Sequence, residues 1–130
     1  MLATASATYI TKLCNIEPKE YRGLYCKFSI PNRQEPGVYF LVIDSHVVYI
    51  GKTKNLSMRW NMGYCVADGR HHVSTNERIN KAILAATLEG KHVELWFIAT
   101  PDIDELEEGL IREHEPLLNI EFTSRDKRAS

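Results

Sequence analysis

The chain has 130 residues, of which 44% are hydrophobic, 25% charged and 9% aromatic, a size and composition that fit one globular domain and exclude disordered, collagen-like and fibrous classes. Sixteen Lys and Arg against seventeen Asp and Glu give a formal net charge of −1, so the overall charge does not indicate a polyanionic partner. No apolar run reaches the roughly 18 residues of a membrane span, the start lacks a signal-peptide pattern, and the three cysteines form no CxxC pair. We therefore expect a soluble, cytoplasmic protein with reduced thiols and no membrane contact.

The first 36 residues carry the weakest pattern. We expect a short helix near Lys19 to Gly23 and a strand-like stretch from Leu24 to Ile30. Pro31 and Pro36 then indicate a loop, because proline removes a backbone donor. Residues 1–36 are accordingly predicted to be an N-terminal appendage to the core.

A β-hairpin is predicted from position 37, where the apolar runs VYFLVI and VVYI are separated by the polar turn DSH. Its register depends on the loop length. A three-residue loop would pair Ile43 with Val47 and place Tyr39 and Tyr49 on one face of the sheet, whereas a two-residue loop would separate the two phenols. We predict the three-residue loop and the shared face.

Two helices are predicted after the hairpin. Asn55 can cap a short helix that runs to about Met62, with Arg59 at the border of its inward stripe. A loop follows, and then Ser74-Thr75-Asn76-Glu77 forms a capping box for a second helix that ends at Gly90.

The remaining elements complete a β-β-α-α-β-α order. A third strand is predicted over Val93 to Ala99, followed by a last helix of about 13 residues that Pro116 ends. This order predicts an α/β (α+β) sandwich, in which helices flank a small three-stranded antiparallel sheet.

One acidic residue interrupts the apolar stripe of the last helix. The stripe consists of Ile103, Leu106, Leu110 and Ile111, and Glu107 takes its remaining place. Burying an unpaired carboxylate costs several kcal/mol, so Glu107 must be neutralised, paired with a cation or bound to a metal. Alternatively, it lies at the edge of the stripe and reaches solvent, or it forms a structural pair with Arg59. The spacing alone does not choose among these.

Two separate parts of the sequence resemble the GIY-YIG nuclease family. The first comprises Gly37-Val38-Tyr39, then Tyr49-Ile50-Gly51 after nine residues, and Arg59 ten residues after Tyr49. The second comprises Leu106-Glu107, Leu110-Ile111, His114, Pro116 and Asn119, which are similar to the last helix and closing asparagine of bacterial excision-repair incision enzymes. The match spans residues 37–120, which we interpret as the catalytic core of a single domain, 1–130, with 121–130 as a flexible tail.

The resemblance implies a metal-dependent endonuclease that hydrolyses phosphodiester bonds of duplex or branched DNA. Glu107 matches the carboxylate that binds Mg²⁺ or Mn²⁺, and Arg59 matches the arginine that stabilises the transition state. Tyr39 matches the tyrosine proposed as general base, and Tyr49 the one that orients water or phosphate.

Two further residues are expected to support the site. A phenol with a pKa near 10 is a poor base, so Lys52 is expected to lower the pKa of its tyrosine neighbour. Asn119 matches the residue that braces the site by hydrogen bonds.

The chain departs from the family pattern at one position. The family usually places Tyr or His one helical turn beyond the arginine, where this chain has Gly63. We expect Tyr64 to take that role, with His71 or His72 as alternatives.

Gly63 and the near-neutral charge also favour an alternative function, a non-catalytic or weakly active nucleic-acid-binding module that retains the fold. The retained acid in an apolar stripe favours the nuclease, because a pure binding protein has no need of it. The chain has little room for a separate DNA-reading domain, so specificity would come from a homo-oligomer, a partner protein or recognition of DNA shape.

Overall fold

A computed structural model describes residues 10–21, 23–66 and 74–119 of the chain. Its strands are β1 (Thr11–Asn15), β2 (Lys19–Tyr21), β3 (Tyr25–Lys27), β4 (Gly37–Ile43), β5 (His46–Thr53) and β6 (Val93–Ala99). Its helices are α1 (Leu56–Asn61), α2 (Ser74–Leu88) and α3 (Ile103–His114), and a short 3₁₀ turn covers Tyr64–Val66.

The main sheet has four antiparallel strands rather than the predicted three. Their order is β1-β6-β4-β5, so β5 lies at one edge and β4 and β6 at the centre. The additional strand, β1, comes from the segment predicted to be an appendage, and it pairs Thr11 with Phe97 and Asn15 with Glu94. Its residues are exposed or half-buried, so they lack the apolar alternation that identifies a strand in sequence.

The helix predicted near Lys19 to Gly23 is wrong. The structure places β2 and β3 there as a separate two-stranded ribbon. Gly23 has a φ of +74°, which permits the tight turn between the strands. The Lys27 ammonium lies 3.9 Å from the centre of the Tyr21 ring on the neighbouring strand. This contact depends on the pairing of the two strands, so the sequence pattern does not indicate it.

The turn between β4 and β5 differs from the prediction. Asp44 and Ser45 form a two-residue turn, with φ values of 47° and 68°, so the predicted three-residue loop is wrong. A bulge then inserts Val48 into β5 without a cross-strand partner.

The bulge restores the register that a three-residue loop would have produced. Tyr39 is paired with Gly51, and Tyr49 with Leu41. Because directly paired residues share a face, the predicted common face for Tyr39 and Tyr49 is confirmed, with ring centroids 6.4 Å apart.

The two faces of the sheet bury separate apolar layers. One layer lies under α1 and α2 and includes Tyr39, Leu41, Leu95, Phe97, Leu56, Trp60, Ile79 and Ile83. The other lies under α3 and includes Val38, Phe40, Val42, Ile50, Ile98 and Leu110. Alternate residues of β4 supply both layers, which makes this central strand buried on its two sides.

The predicted signals at the start of α1 and at the end of α2 are confirmed. The Asn55 side chain accepts a hydrogen bond from the backbone of Met58 at 3.1 Å and caps α1. Gly90 ends α2 with a φ of +75°, and α3 has 12 residues and ends where Glu115 adopts a φ of 47°. Within the described residues, no helix combines the length and the apolar character that crossing a membrane would need.

We expect Leu110→Ala to lower the free energy of unfolding by about 2–5 kcal/mol, because Leu110 is 2% exposed between α3 and the sheet. Leu88→Ala is the matched control. Leu88 is 68% exposed at the end of α2, so its truncation should change stability by less than about 0.5 kcal/mol. Urea unfolding of the two variants measures the difference, and equal losses would contradict the described packing of α3.

Candidate functional site

Four of the predicted site residues meet on the face of the sheet that α1 covers. The hydroxyl oxygens of Tyr39 and Tyr64 are 2.6 Å apart, and both side chains are buried. The Arg59 guanidinium lies over the Tyr64 ring, 4.2 Å from its centroid, and Tyr49 is the half-buried neighbour of Tyr39. We call Tyr39, Tyr49, Arg59 and Tyr64 the phenol–guanidinium cluster.

Tyr64 enters this cluster because the chain turns sharply after α1. A Cβ atom at Gly63 would lie 2.3 Å from the carbonyl oxygen of Arg59, so only glycine fits this turn without displacing the backbone. The next residue, Tyr64, begins the 3₁₀ turn and points inward, as expected. His71 and His72, the alternatives, lie outside the described residues.

The Arg59–Glu107 ion pair considered as an alternative is not found among the ion pairs of the described residues. The Nη1 of Arg59 donates instead to the side-chain oxygen of Asn76, at 2.6 Å. Burial disfavours the charged guanidinium, but the phenols of Tyr64 and Tyr39 outweigh this effect, so the pKa of Arg59 lies above its usual range.

Gly51 permits the Tyr39 ring to reach the edge of the sheet. A Cβ atom at position 51 would lie 2.3 Å from both the hydroxyl oxygen and Cζ of Tyr39. Any other residue would therefore displace the ring. The Tyr39 hydroxyl consequently lies against the backbone of the edge strand β5.

Glu107 and Lys52 lie on the opposite face of the same strand edge. Lys52 follows Gly51 in β5, and its ammonium pairs with Asp104 on α3 at 2.5 Å. An open cavity of about 370 Å³ there is lined by Lys52, Asp104, Glu107, Glu108, Ile111 and Arg112. Only two covalent bonds separate the Gly51 Cα from the Lys52 amide nitrogen. The phenol–guanidinium cluster beside Gly51 and the Glu107 side chain beside Lys52 therefore approach the same short piece of backbone from opposite faces.

The carboxylate of Glu107 is incompletely stabilised by its neighbours. Burial raises its pKa, the Lys52 ammonium and backbone amide oppose that shift, and the charge of Asp104 adds to it. The side chain is half-buried, so it neither reaches freely into water nor lies in the apolar core. Within residues 10–21, 23–66 and 74–119, no group of three or more His, Cys, Asp and Glu side chains is placed to hold a metal ion.

Lys52 is not among the groups that lower the pKa of Tyr39. Burial raises the pKa of Tyr39 to about 12, and the opposing influence comes from Arg59 and the Tyr64 hydroxyl. Lys52 is on the other face of the sheet and is held by Asp104, whose carboxylate raises the pKa of the ammonium. At neutral pH, Tyr39 is therefore a neutral phenol.

Asn119 acts on the open edge of the sheet. Its amide nitrogen donates to the carbonyl of Ile50 at 2.8 Å, and its amide oxygen accepts from the Ile50 backbone nitrogen at 2.8 Å. Both backbone groups of a strand residue point to the same side, so Asn119 takes the place of a further strand. It fixes β5 beside Gly51 and Lys52, in agreement with the expected bracing contact.

Two site neighbours were not identified from the sequence. Asn76 was interpreted as part of a capping box, and Asp104 was not singled out. Their partners, Arg59 and Lys52, are distant in sequence, so only the tertiary fold reveals the contacts.

Comparison with known proteins gives two matches, although no family model matches the chain. Endonuclease II of Enterobacteria phage T4 is 37% identical over 74 residues, which make up 57% of this chain and 53% of that protein. The chain thus spans about half the length of this curated relative. A solved glutamate-to-alanine variant of bacteriophage T4 EndoII has a TM-score of 0.66 at 28% identity and covers 85% of this chain and 93% of its own. Both matches confirm the resemblance to the GIY-YIG nucleases, and the structural match supports the mixed α/β fold.

We expect Gly51→Ala to lower the free energy of unfolding by about 1–3 kcal/mol, because its Cβ overlaps the Tyr39 ring. Gly109→Ala in α3 is the control, since a Cβ there has no neighbour within 4 Å. Alanine is favoured over glycine in a helix, so the control should be neutral or more stable by up to about 1 kcal/mol. Thermal or urea unfolding distinguishes them, and an undamaged Gly51→Ala protein would refute the close approach of Tyr39.

The raised pKa of Tyr39 predicts alkaline destabilisation. The unfolded phenol titrates near pH 10 and the folded one at about 12, so the stability that this residue contributes is complete below pH 10 and lost as the pH rises through 12. Between these pH values, the parent should lose about 2–3 kcal/mol more than Tyr39→Phe. Urea unfolding from pH 9 to 12 tests this, and parallel pH profiles would contradict the burial of an ionisable phenol.

Proposed function

From this kinship with the GIY-YIG nucleases, we propose that the protein is a DNA endonuclease that hydrolyses phosphodiester bonds with one divalent metal ion. The observation that carries the proposal is the arrangement at the edge of β5. A cation and paired hydroxyls lie on one side of Gly51, and a half-buried carboxylate lies on the other side, beside Lys52. Cleavage of a phosphodiester requires charge stabilisation and a positioned water, which these groups would supply.

Glu107 would hold Mg²⁺ or Mn²⁺. A single carboxylate suits these ions, because they retain several waters and complete their coordination with substrate phosphate oxygens. The fit rests on a half-buried, incompletely stabilised carboxylate facing an open cavity of about 370 Å³. When bound, the metal would supply Lewis-acid neutralisation of charge on the phosphate and the leaving oxygen.

Arg59 would stabilise the negative charge that develops on the phosphate. Its guanidinium is permanently charged, and its position between the Tyr64 ring and Asn76 is fixed before substrate binds. A donor that needs no reorganisation during the reaction lowers the barrier more than a mobile one.

The tyrosines would orient water rather than act as phenolates. Because the pKa of Tyr39 is raised to about 12, it would accept or donate a hydrogen bond as a neutral group, in a chain with Tyr64. Tyr49 is less buried and would contact the attacking water or the phosphate. Lys52 would add positive charge beside Glu107 while Asp104 holds it, and Asn119 would keep β5 in place.

Recognition of a particular DNA sequence or branch would require more surface than the cluster provides. A second copy of the chain or a partner protein would supply the remaining contacts. Duplex and branched DNA are both proposed substrates.

We expect the protein to nick supercoiled plasmid DNA with Mg²⁺ or Mn²⁺ and to stop when EDTA is added. Glu107→Gln should lower the nicking rate by about 10²–10³-fold, because it removes the proposed metal ligand without changing side-chain size. Glu105→Gln, an exposed acid on the same helix, removes the same charge and should remain within about threefold of the parent.

Binding of the same plasmid separates the two functional classes. A parent protein that binds DNA but shows no metal-dependent nicking would favour the non-catalytic binding module. Equal rates for Glu107→Gln and the parent would instead overturn the assignment of the metal ligand.

A further inference from the structure

The Arg59 guanidinium contacts the side chains of Tyr64, Tyr39 and Asn76. Its Cζ atom lies 4.2 Å from the centroid of the Tyr64 ring, and its Nη1 donates to the side-chain oxygen of Asn76 at 2.6 Å. A guanidinium can only donate hydrogen bonds, so the oxygen of Asn76 must face Arg59. The contact therefore fixes the amide orientation as well as the cation.

Asn76 reaches Arg59 through space that the sequence leaves open at Gly63. A Cβ atom at Gly63 would lie 3.4 Å from the Asn76 amide nitrogen and 2.3 Å from the Arg59 carbonyl oxygen. A large side chain at this position would compete with Asn76 for that space. The lack of a side chain at Gly63 thus leaves the space in which Asn76 of α2 accepts a hydrogen bond from Arg59.

Asn80, one helical turn after Asn76, anchors α2 to the same structure. It is fully buried, and it accepts from the Cys26 backbone nitrogen at 2.9 Å and donates to the Cys26 carbonyl at 2.9 Å. It also donates to the carbonyl of Tyr64 at 2.7 Å. Because buried hydrogen bonds of this kind are costly to break, α2 has a defined position relative to Tyr64.

We propose that Asn76 is a positioning residue that holds the Arg59 guanidinium in the orientation in which it contacts the phosphate. The inference rests on the proposed nuclease function, because it assigns Asn76 an effect that acts through Arg59. Asn76 accepts a hydrogen bond from Nη1, and the hydroxyls of Tyr39 and Tyr64 also hydrogen-bond to the guanidinium. A cavity of about 370 Å³ lies beside both residues and is lined further by Thr53, Lys54, Asn55, Met58, Met62 and Gly63.

The first test measures Arg59 itself and needs no activity. We expect the NMR order parameter of the Arg59 Nε–H bond to be high in the parent and to fall below about 0.6 in Asn76→Ala. Thr87→Ala is the control, a polar truncation on the same helix whose hydroxyl bonds the carbonyl of Ile83 at 2.9 Å. Its Arg59 order parameter should match the parent. An Arg59 that stays equally ordered in Asn76→Ala would overturn the proposal whether or not the protein cleaves DNA.

The second test separates positioning from a direct contact with DNA. We expect Asn76→Ala to lower kcat for plasmid nicking by about 10–100-fold and to leave KM within about twofold. Asn76→Asp keeps the oxygen acceptor for Arg59, so its kcat should return to within about fivefold of the parent. If the Asn76 amide instead donated to a phosphate, Asn76→Asp would be slower than Asn76→Ala, and the proposal would be wrong.

The failure of each proposal has its own signature. A parent protein and a Thr87→Ala variant that both fail to nick DNA would refute the nuclease function, while the order parameters would still decide what holds Arg59. Active parent and control proteins with an unchanged kcat in Asn76→Ala would refute the positioning role alone.

Discussion

The site depends on the fact that β5 is an edge strand. Alternate residues of a strand face opposite sides, so Gly51 faces α1 and Lys52 faces α3. Side chains on opposite faces of a sheet can act on one substrate only where the sheet ends. At this edge, Gly51 admits the Tyr39 hydroxyl and Lys52 lies beside Glu107. A further strand beyond β5 would separate the two groups, and Asn119 holds the edge without covering it in that way.

The two sides of the edge are electrostatically different. On one side, burial keeps Tyr39 neutral and the charge of Arg59 is stabilised by phenols, which holds a fixed cation in a largely apolar layer. On the other side, the carboxylate of Glu107 is only partly stabilised by Lys52 and is open to a cavity. The proposed function would use both sides, with Arg59 as a donor for the phosphate and Glu107 as the ligand of a hydrated cation.

Part of this arrangement could be predicted from the sequence. The shared face of Tyr39 and Tyr49 follows from strand alternation and was predicted correctly. The predicted turn was wrong, but the bulge in β5 compensates for the shorter loop and restores the register. The resemblance identified Arg59 and Glu107, and the glycine at position 63 directed attention to Tyr64. The order and spacing of the motifs therefore indicated that Arg59 and Glu107, which are far apart in sequence, belong to one site.

Other features could not be predicted because they depend on contacts between distant residues. Strand β1 has little apolar alternation, and its place is set by pairing with β6. The partner of Lys52 is Asp104, 52 residues away, and nothing in the spacing distinguishes this acid from its neighbours.

Anomalous scattering from crystals soaked in Mn²⁺ tests the central claim most directly. We expect one manganese peak within coordination distance of the Glu107 carboxylate, on its side toward Gly51, and no such peak in Glu107→Gln. A fully occupied peak elsewhere, or none beside Glu107 at saturating Mn²⁺, would contradict a metal-dependent site at the edge of β5.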